Sequence, residues 1–294
     1  MTNLYGSDNR EQEVSEPATF VAMLEQRWQQ GNFVCVGLDL EYSRLPAAVK
    51  NGRSHEGALF TFGRAIVDAT HDLVCAYKPN SAFYEAQGDE GLHALTRIVH
   101  YIKDTYPAIP VILDAKRADI GSTNLGYVTS AFDLLGADAI TVHPYLGKEA
   151  LTPFLVRKEK GIIVLAKTSN PSSGEFQDLL VGESQEPLYQ AIARNVALHW
   201  NTAGNCALVV GATYPAELER VRSLVGDLPI LIPGIGAQGG DLAATVRAGK
   251  DSRGWGIIIN SSRSIIYVSG EQDFAQAARN ATAELNTEIN RYRL

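Results

Sequence analysis

Short apolar segments with the composition of buried β-strands recur eight times along this chain of 294 residues, separated by longer segments with helical patterning. Several are apolar on both faces, which is typical of a parallel sheet covered by helices. Eight strand–helix repeats favour a closed (β/α)8 barrel, with an open doubly wound sheet as the alternative. The predicted strands are 33–38, 73–77, 111–113, 139–142, 162–166, 207–210, 230–232 and 256–259.

Polar residues and glycines follow these strands at their carboxyl ends, and this placement favours the barrel over the open sheet. In a (β/α)8 barrel, or TIM barrel, those ends converge on one face, where the active site is built. We therefore expect the active site among Asp39, Lys78, Asp114, Lys116, His143, Lys167, Thr168, Gly211, Gly234, Gly236 and residues 261–263.

Length and composition fit one domain of this α/β class. Such a barrel runs at about 250 residues plus insertions, and 45% hydrophobic residues suffice for a large core. We predict a single barrel domain over residues 1–294, with a polar N-terminal extension at about residues 1–16 and insertions at 41–57 and 169–187. The second insertion is either a mobile surface segment or a loop that closes over ligand.

The net charge and the cysteines indicate which binding partners and which cellular compartment to expect. The formal net charge of −7, from 26 basic and 33 acidic residues, argues against nucleic acid and anionic membrane as partners. No stretch approaches the ~20 apolar residues of a membrane span, and the N-terminus lacks a secretory pattern, so we expect a cytoplasmic protein. Cys35, Cys75 and Cys206 lie in apolar runs without metal-ligand spacing, which predicts buried reduced thiols and no metal site.

The segment Asp114-Ala-Lys-Arg-Ala-Asp119-Ile-Gly-Ser-Thr123 directly follows a predicted buried strand. Side chains two residues apart in an extended chain point the same way, so Asp114 and Lys116 should lie together. If a turn or helix begins after them, Asp119 can fold back and place two carboxylates around one ammonium. Such a cluster is costly to bury, and catalysis is the usual reason for it. The alternative is a routine ion pair with Asp119 as a helix cap.

A candidate anion site lies in the second half of the chain. Residues 233–240, Pro-Gly-Ile-Gly-Ala-Gln-Gly-Gly, follow the seventh strand and precede a helix, where glycines and free N–H groups favour phosphate. Arg263, after the eighth strand, adds a guanidinium suited to bidentate phosphate contact. Barrels often bind phosphate between these two loops. Two ordinary glycine turns beside a surface arginine are the alternative.

Three further polar residues are candidates by position. Lys78 ends the second strand between apolar residues and a proline, which favours a functional position over that of a solvated lysine. Asp39 is compatible both with ligand binding and with capping the next helix. His143 is more readily structural, since no carboxylate partner is evident in the sequence.

Taken together, these motifs resemble those of the orotidine 5′-phosphate decarboxylase family, in particular its longer bacterial subgroup. The resemblance spans about residues 33–267, and the signature Asp-x-Lys-x-x-Asp-Ile-Gly-x-Thr stands at residues 114–123. It implies a carboxy-lyase without a cofactor, which removes CO2 from C6 of orotidine 5′-phosphate and gives uridine 5′-phosphate. That reaction is the last step of de novo pyrimidine nucleotide synthesis. The family also implies a homodimer.

The resemblance further assigns roles to residues of this chain. Lys78, Asp114, Lys116 and Asp119 would form a charged network under the pyrimidine ring, with Lys116 donating a proton to C6. Asp119 and Thr123 would complete the site of the neighbouring subunit. The implied substrate-binding residues are Asp39 for the ribose hydroxyls, Thr168 or Ser169 for the pyrimidine edge, and Gly236, Gln238, Ser262 and Arg263 for the phosphate.

Two other functions share parts of this pattern. A metal-dependent sugar-phosphate lyase of the same barrel superfamily shares the Asp-x-Lys-x-x-Asp core, but it needs an acidic ligand for Mg²⁺ where this chain has Lys78. A catalytically silent barrel that only binds nucleotides is disfavoured by the intact Asp114, Lys116 and Asp119. A bifunctional synthase is not expected, because the chain leaves no room for a second transferase domain.

Overall fold

Eight parallel strands form a barrel in the computed structural model, which describes residues 18–235 and 241–294. The strands are β1 (Val34–Gly37), β2 (Val74–Lys78), β3 (Ile112–Arg117), β4 (Ala139–Val142), β5 (Gly161–Lys167), β6 (Cys206–Val210), β7 (Ile230–Pro233) and β8 (Ile257–Ser261). Neighbouring strands follow the order β2-β1-β8-β7-β6-β5-β4-β3, and isolated bridges Tyr77–Val111 and Asn80–Asp114 join the remaining seam between β2 and β3. The barrel prediction is therefore confirmed over the open sheet, whose edge strands would not meet.

Each predicted strand overlaps an observed one, and the largest difference is at β3. This strand continues to Arg117, so Asp114 and Lys116 lie within it and not after it. Its register against β4 shifts between Leu113 and Arg117, and Lys116 has a φ of 48° in the left-handed region. Sequence patterning ended the strand at Leu113 because the apolar run stops there, whereas pairing with β4 resumes at Arg117, beyond Asp114 and Lys116.

Helices cover the outside of the barrel, as the strand–helix repeat predicts. The helices are α1 (Phe20–Gln29), α2 (Ala47–Lys50), α3 (His55–Thr70), α4 (Ser81–Glu85), α5 (Gly88–Thr105), α6 (Gly121–Val128), α7 (Gly147–Leu155), α8 (Gly174–Gln177), α9 (Leu188–Asn195), α10 (Pro215–Val225), α11 (Leu242–Gly249), α12 (Arg263–Ile266) and α13 (Phe274–Arg293). Two of them are continued by π-helical turns, α6 by Thr129–Leu134 and α9 by Val196–Trp200.

The C-terminal helix α13 fixes the start of the first strand. Asn286 Oδ1 accepts the backbone N–H groups of Phe33 at 3.0 Å and Val34 at 3.2 Å. Ala278 and Ile289 on the same helix are fully buried against the barrel. Burying a large aliphatic side chain contributes about 1.5–3 kcal/mol, so packing of α13 holds β1, and with it Asp39, in place.

Both predicted insertions have secondary structure of their own. Residues 41–57 contain a 3₁₀ turn at Tyr42–Arg44 and the short helix α2. Residues 169–187 contain a 3₁₀ turn, α8 and a small antiparallel hairpin of Leu180–Val181 with Glu186–Pro187. Across residues 18–235 and 241–294, no helix is both long enough and apolar enough to cross a membrane. The predicted polar extension lies outside the described residues.

Candidate active site

The carboxylate of Asp114 lies at the centre of a charged cluster at the carboxyl end of the barrel. Lys116 Nζ donates to Oδ1 of Asp114 at 2.7 Å, and Lys78 Nζ, at the end of β2, donates to Oδ2 at 2.9 Å. Lys78 and Asp114 are only 3% and 9% exposed, whereas the side chain of Lys116 is 49% exposed. The strand therefore presents the Lys116 ammonium to the cavity and keeps its counter-ion buried.

Each buried charge in this cluster favours the ionised form of the other. Burial alone would raise the pKa of Asp114, but Lys78 and Lys116 lower that pKa by more, so it lies well below the usual aspartate range. Burial alone would lower the pKa of Lys78, but Asp114 and Asp39 raise that pKa by more. Opposite charges in contact away from water produce this mutual effect. At neutral pH Lys78 and Asp114 are thus both charged.

Asp39 lies between β1 and this cluster. One of its carboxylate oxygens, Oδ1, is buried and accepts no hydrogen bond from any described residue. The 3₁₀ turn that follows is capped at Glu41, so the capping alternative for Asp39 is wrong. Because an unpaired buried acceptor costs free energy, Asp39 is suited to accept a hydrogen bond from a ligand hydroxyl.

Two phenols, the buried Tyr84 and the partly buried Tyr267, hold the backbone around Asp39. Tyr84 donates to the carbonyl of Leu38 at 2.7 Å, and Tyr267 donates to the carbonyl of Asp39 at 3.3 Å. Tyr267 also accepts the N–H of Glu41 at 2.7 Å. Burial raises the pKa of Tyr267 to about 12, so this hydroxyl stays a donor at neutral pH. Together the two tyrosines fix the loop that carries Asp39.

Residues after β5 are held by the second insertion. The N–H of Thr168 donates to Oε1 of Gln177 at 2.9 Å, and Nε2 of Gln177 donates to the Thr168 hydroxyl at 2.8 Å. The same hydroxyl donates to Oδ1 of Asn170 at 2.7 Å. The Thr168 hydroxyl is thus bonded within the chain, whereas the hydroxyl of Ser169, which also lines the cavity, makes no hydrogen bond to a described residue.

An ion pair anchors that insertion to the barrel. Lys167, whose side chain is 1% exposed, pairs with Asp178, and its ammonium lies over the rings of Tyr189 and Tyr214 at 5.5 and 5.0 Å. Gly211 at the end of β6 allows the close approach, because a Cβ there would lie 2.7 Å from Cβ of Ser169. The insertion is therefore bonded to the rim of the barrel beside the charged cluster.

The opposite side of the cavity carries the predicted anion site. Arg263 begins α12 and lines the cavity together with Pro233 and Gly234 at the end of β7. Ser262 donates to the carbonyl of Gly37 at 3.0 Å, and only a glycine fits at residue 37, since a Cβ would lie 2.6 Å from that of Ser262. The predicted ligands Gly236 and Gln238 lie outside the described residues.

These elements enclose one cavity of about 440 Å³ at the carboxyl ends of the strands. Its walls contain the charged cluster around Asp114, the Asp39 carboxylate, the residues that follow β5, and Arg263 of the anion site. The lining residues are Asp39, Lys78, Asn80, Asp114, Lys116, Leu165, Thr168, Ser169, Asn170, Val209, Leu231, Pro233, Gly234, Ile235, Asn260, Ser262, Arg263 and Ser264.

Asp119 and Thr123 do not line this cavity. The N–H of Asp119 donates to Oδ1 of Asn124, and its own Oδ1 accepts the N–H of Ile120. Within the part of the chain that the structure describes, Asp119 forms no ion pair with Lys116, so the predicted folding back inside one chain does not occur. Asp119 is not a helix cap either, since the N-cap of α6 is Ile120. The chain leaves β3 towards α6 and carries Asp119 away from the cluster.

His143 also stays outside the cavity. Its Nδ1 accepts the N–H of Tyr145 at 3.4 Å, and its backbone N–H donates to the carbonyl of Arg117. This agrees with the structural role that the sequence favours.

Sequence reasoning missed several residues of the site, and four of them have polar side chains that hold it or line it. Thr141 bonds both Asp114 and Lys116, Gln177 holds Thr168, Tyr267 holds the Asp39 loop, and Asn260 lines the cavity with a buried unpaired Oδ1. Thr141 and Asn260 interrupt or end apolar strands, which is a weak signal. Gln177 and Tyr267 give no such signal, because they contact the site from other segments of the chain.

The side chains of this cavity can interact with one ligand in three ways. A half-exposed ammonium held by a buried carboxylate can stabilise developing negative charge and deliver a proton. Arg263 can bind a phosphate, and Asp39 can accept hydroxyl donors. The cavity is therefore suited to a phosphorylated sugar derivative whose reacting atom gains negative charge.

Comparisons with known proteins agree with this chemistry. Residues 32–280 match the family model described as "Orotidine 5′-phosphate decarboxylase / HUMPS family". The orotidine 5′-phosphate decarboxylase of Cupriavidus taiwanensis is 51% identical over 276 residues, which cover 94% of this chain and 99% of that protein. The structure of Leishmania donovani OMP decarboxylase superposes with a TM-score of 0.80 at 38% identity, covering 94% of this chain and 98% of that one. Leishmania donovani UMP synthase gives a TM-score of 0.82 at 40% identity, and there the match covers 94% of this chain but 57% of the synthase.

Proposed function

The chain belongs to the orotidine 5′-phosphate decarboxylase family, and we propose that Lys116, bonded to Asp114, is the proton donor of its reaction. The enzyme is a carboxy-lyase that converts orotidine 5′-phosphate to uridine 5′-phosphate and CO2, the final step of pyrimidine nucleotide synthesis. The observation that carries the proposal is the Lys116 ammonium, 2.7 Å from a buried carboxylate and open to the cavity.

The reaction follows from these charges. The bond between C6 and the carboxylate breaks, CO2 leaves, and the electron pair stays on C6. Lys116 stabilises that developing charge and transfers its proton to C6, after which the neutral amine regains a proton from water. Asp114 lies on the same side and disfavours the substrate carboxylate more than the transition state. Lys78 compensates the charge of Asp114 from beneath.

Substrate binding is divided between the two sides of the cavity. Arg263 binds the phosphate, together with Ser262 and the loop that contains Gly236 and Gln238. Asp39 accepts the ribose hydroxyls through the carboxylate oxygen that has no partner among the described residues. For the pyrimidine edge, Ser169 is favoured over Thr168, because the Thr168 hydroxyl already bonds Gln177 and Asn170.

The rate acceleration that this reaction requires implies that phosphate binding contributes to turnover. Very slow uncatalysed reactions demand roughly 20 kcal/mol or more of transition-state stabilisation. One well-placed electrostatic contact supplies only about 3–4 kcal/mol. Binding energy from the distant phosphate must therefore hold the substrate in the reactive geometry and exclude water. Arg263 thus contributes to the chemical step as well as to affinity.

The rival functions fit the cavity less well. A metal-dependent sugar-phosphate lyase needs an acidic ligand at the end of β2, where Lys78 is an ion-paired cation that repels Mg²⁺. A silent nucleotide-binding barrel has no need of the buried ion pairs around Asp114, which are costly to form.

We also propose a homodimer in which Asp119 and Thr123 reach the cavity of the partner subunit. Two observations support it. Both residues lie outside the cavity of their own chain. Beside them, Ile120 and Leu125 are 60% and 59% exposed, and exposed apolar residues in one region mark interaction surfaces. The three cysteines are free and buried, which supports the proposal of a cytoplasmic enzyme.

The decisive experiment follows the ultraviolet absorbance of orotidine 5′-phosphate with purified enzyme in EDTA. We expect the wild type and the control Lys158→Ala, an exposed lysine on the opposite face, to consume the substrate. Lys116→Ala should bind uridine 5′-phosphate without consuming the substrate. Turnover by Lys116→Ala at the wild-type rate would refute the role of Lys116. Saturable binding of uridine 5′-phosphate without turnover in the wild type would favour the silent barrel. Neither turnover nor binding would favour the metal lyase, to be tested next with added Mg²⁺ and a sugar phosphate.

A further inference from the structure

Thr141, in the middle of β4, contacts both members of the Asp114–Lys116 pair. Its hydroxyl donates to Oδ1 of Asp114 at 2.8 Å and accepts the backbone N–H of Lys116 at 3.0 Å. The residue is 1% exposed and does not line the cavity. One buried oxygen therefore joins the side chain of the carboxylate to the backbone of the lysine, from a position that substrate cannot touch.

The backbone of Lys116 needs such a contact. Its φ of 48° lies in the left-handed region, which a lysine rarely adopts and which persists only where neighbouring structure holds it. The pairing of β3 with β4 passes from Leu113–Ile140 directly to Arg117–Val142, so the three residues between them on β3 oppose Thr141 alone. At this irregularity the Thr141 hydroxyl receives the N–H of Lys116 and supports the unusual conformation.

The orientation of the Asp114 carboxylate depends on the same hydroxyl. Oδ1 accepts from both Lys116 and Thr141, while Oδ2 accepts from Lys78. The two lysines end in flexible chains with rotatable ammonium groups. Thr141 is a short, branched side chain with a restricted rotamer, fixed in a strand. It is the stiffest of the three donors and sets the plane of the carboxylate.

We infer that Thr141 is a positioning residue, which holds the Lys116 ammonium in the geometry for proton transfer through its two hydrogen bonds. This inference rests on the roles proposed above for Asp114 and Lys116. Because Thr141 acts only through these two residues, its loss should lower the rate of the chemical step and leave nucleotide binding nearly unchanged.

The test compares Thr141→Val, which keeps the shape and removes the hydroxyl, with Thr141→Ser, which keeps the hydroxyl. For Thr141→Val we expect kcat to fall at least about tenfold, while KM and the Kd of uridine 5′-phosphate change less than about threefold. Thr141→Ser should retain kcat within about threefold of the wild type. A threonine that only filled space would show the opposite order, because valine fills it better than serine.

Thr282→Val is the matched control, since Thr282 is fully buried and donates to a carbonyl within α13. It should keep the wild-type kcat even if its Tm falls. A wild-type kcat in Thr141→Val, or a loss in Thr141→Ser equal to that in Thr141→Val, overturns the inference. If Thr141→Val does not fold, Thr141→Ala takes its place with the same criteria. An active Lys116→Ala would instead show that the role proposed for Lys116, on which this inference rests, is wrong.

Discussion

Lys116 Nζ lies 2.7 Å from Oδ1 of Asp114, and the two partners differ sharply in exposure. The Asp114 side chain is 11% exposed and that of Lys116 is 49% exposed. The ammonium is thus bonded from its buried side and open to the cavity on the other. Since the effective dielectric constant is lower on the buried side, the pair remains oriented while its outer face meets the ligand.

Asp114→Asn should destabilise the fold as well as abolish activity. Lys78 would keep its charge at 3% exposure with no anionic partner at Asp114, and breaking a buried pair in this way costs about 3–5 kcal/mol. Equilibrium unfolding in urea measures the change in the free energy of unfolding. The double variant Lys78→Met/Asp114→Asn removes the stranded charge and should recover part of that loss. A double variant less stable than the single one would contradict the argument.

The stabilising effect of Asp114 should depend on pH with a definite sign. Its folded-state pKa is lowered, with Lys78 and Lys116 outweighing burial, so its contribution is fully present above the unfolded aspartate pKa of about 3.9. The contribution is lost as the pH falls below that value towards the folded pKa. The difference in free energy of unfolding between the wild type and Asp114→Asn should therefore be larger at pH 7 than at pH 3. An equal difference at both pH values would be inconsistent with this ionisation.

Arg263→Ala should lower kcat/KM by about 100-fold or more without changing the fold, because the phosphate then loses its charged partner. Steady-state kinetics measures the effect, and circular dichroism checks the fold. Arg64→Ala, which removes an exposed arginine of α3, serves as the control. A loss of less than a few-fold for Arg263→Ala would contradict the phosphate assignment.

Tyr267→Phe should weaken substrate binding more than it slows turnover. The variant loses the hydrogen bonds to the carbonyl of Asp39 and from the N–H of Glu41, so the loop that carries the open carboxylate is less fixed. We expect KM to rise about three- to tenfold, equivalent to roughly 1 kcal/mol. Tyr101→Phe, which loses a hydroxyl bonded to Asp68 on the outer helices, should keep the wild-type KM. Similar changes in both variants would argue against a specific role of Tyr267.

The proposed dimer predicts that two inactive variants restore each other. Lys116→Ala and Asp119→Ala carry their lesions in different subunits of one site, so a mixed dimer has one intact site and one doubly altered site. After random exchange of equal amounts, about a quarter of the sites should be intact. The activity of the mixture, compared with each variant alone, measures this. Mixing that restores no activity despite subunit exchange would exclude a shared site.

The pattern of apolar and polar residues was sufficient to predict the barrel and one half of the site. Eight apolar runs with polar residues at their ends predict where Lys78, Asp114 and Arg263 meet, because parallel strands bring their carboxyl ends to one face. The pattern could not predict the end of β3, since Asp114, Lys116 and Arg117 are charged and still belong to the strand. For Asp39, local sequence left capping and ligand binding open, and the choice depended on which helix followed.

The sequence by itself determined which residues can ionise, which segments must be buried, and that the polar carboxyl ends of the strands lie on one face of the barrel. Only the tertiary structure decided how those groups are held. Thr141, Gln177 and Tyr267 reach their partners across 25, 9 and 228 residues of chain, and no local periodicity records such a contact. The direction of Asp119 was decided in the same way, by the path of the chain from β3 into α6. Hydrogen bonds of this kind depend on distances between strands and helices that exist only once the barrel has closed.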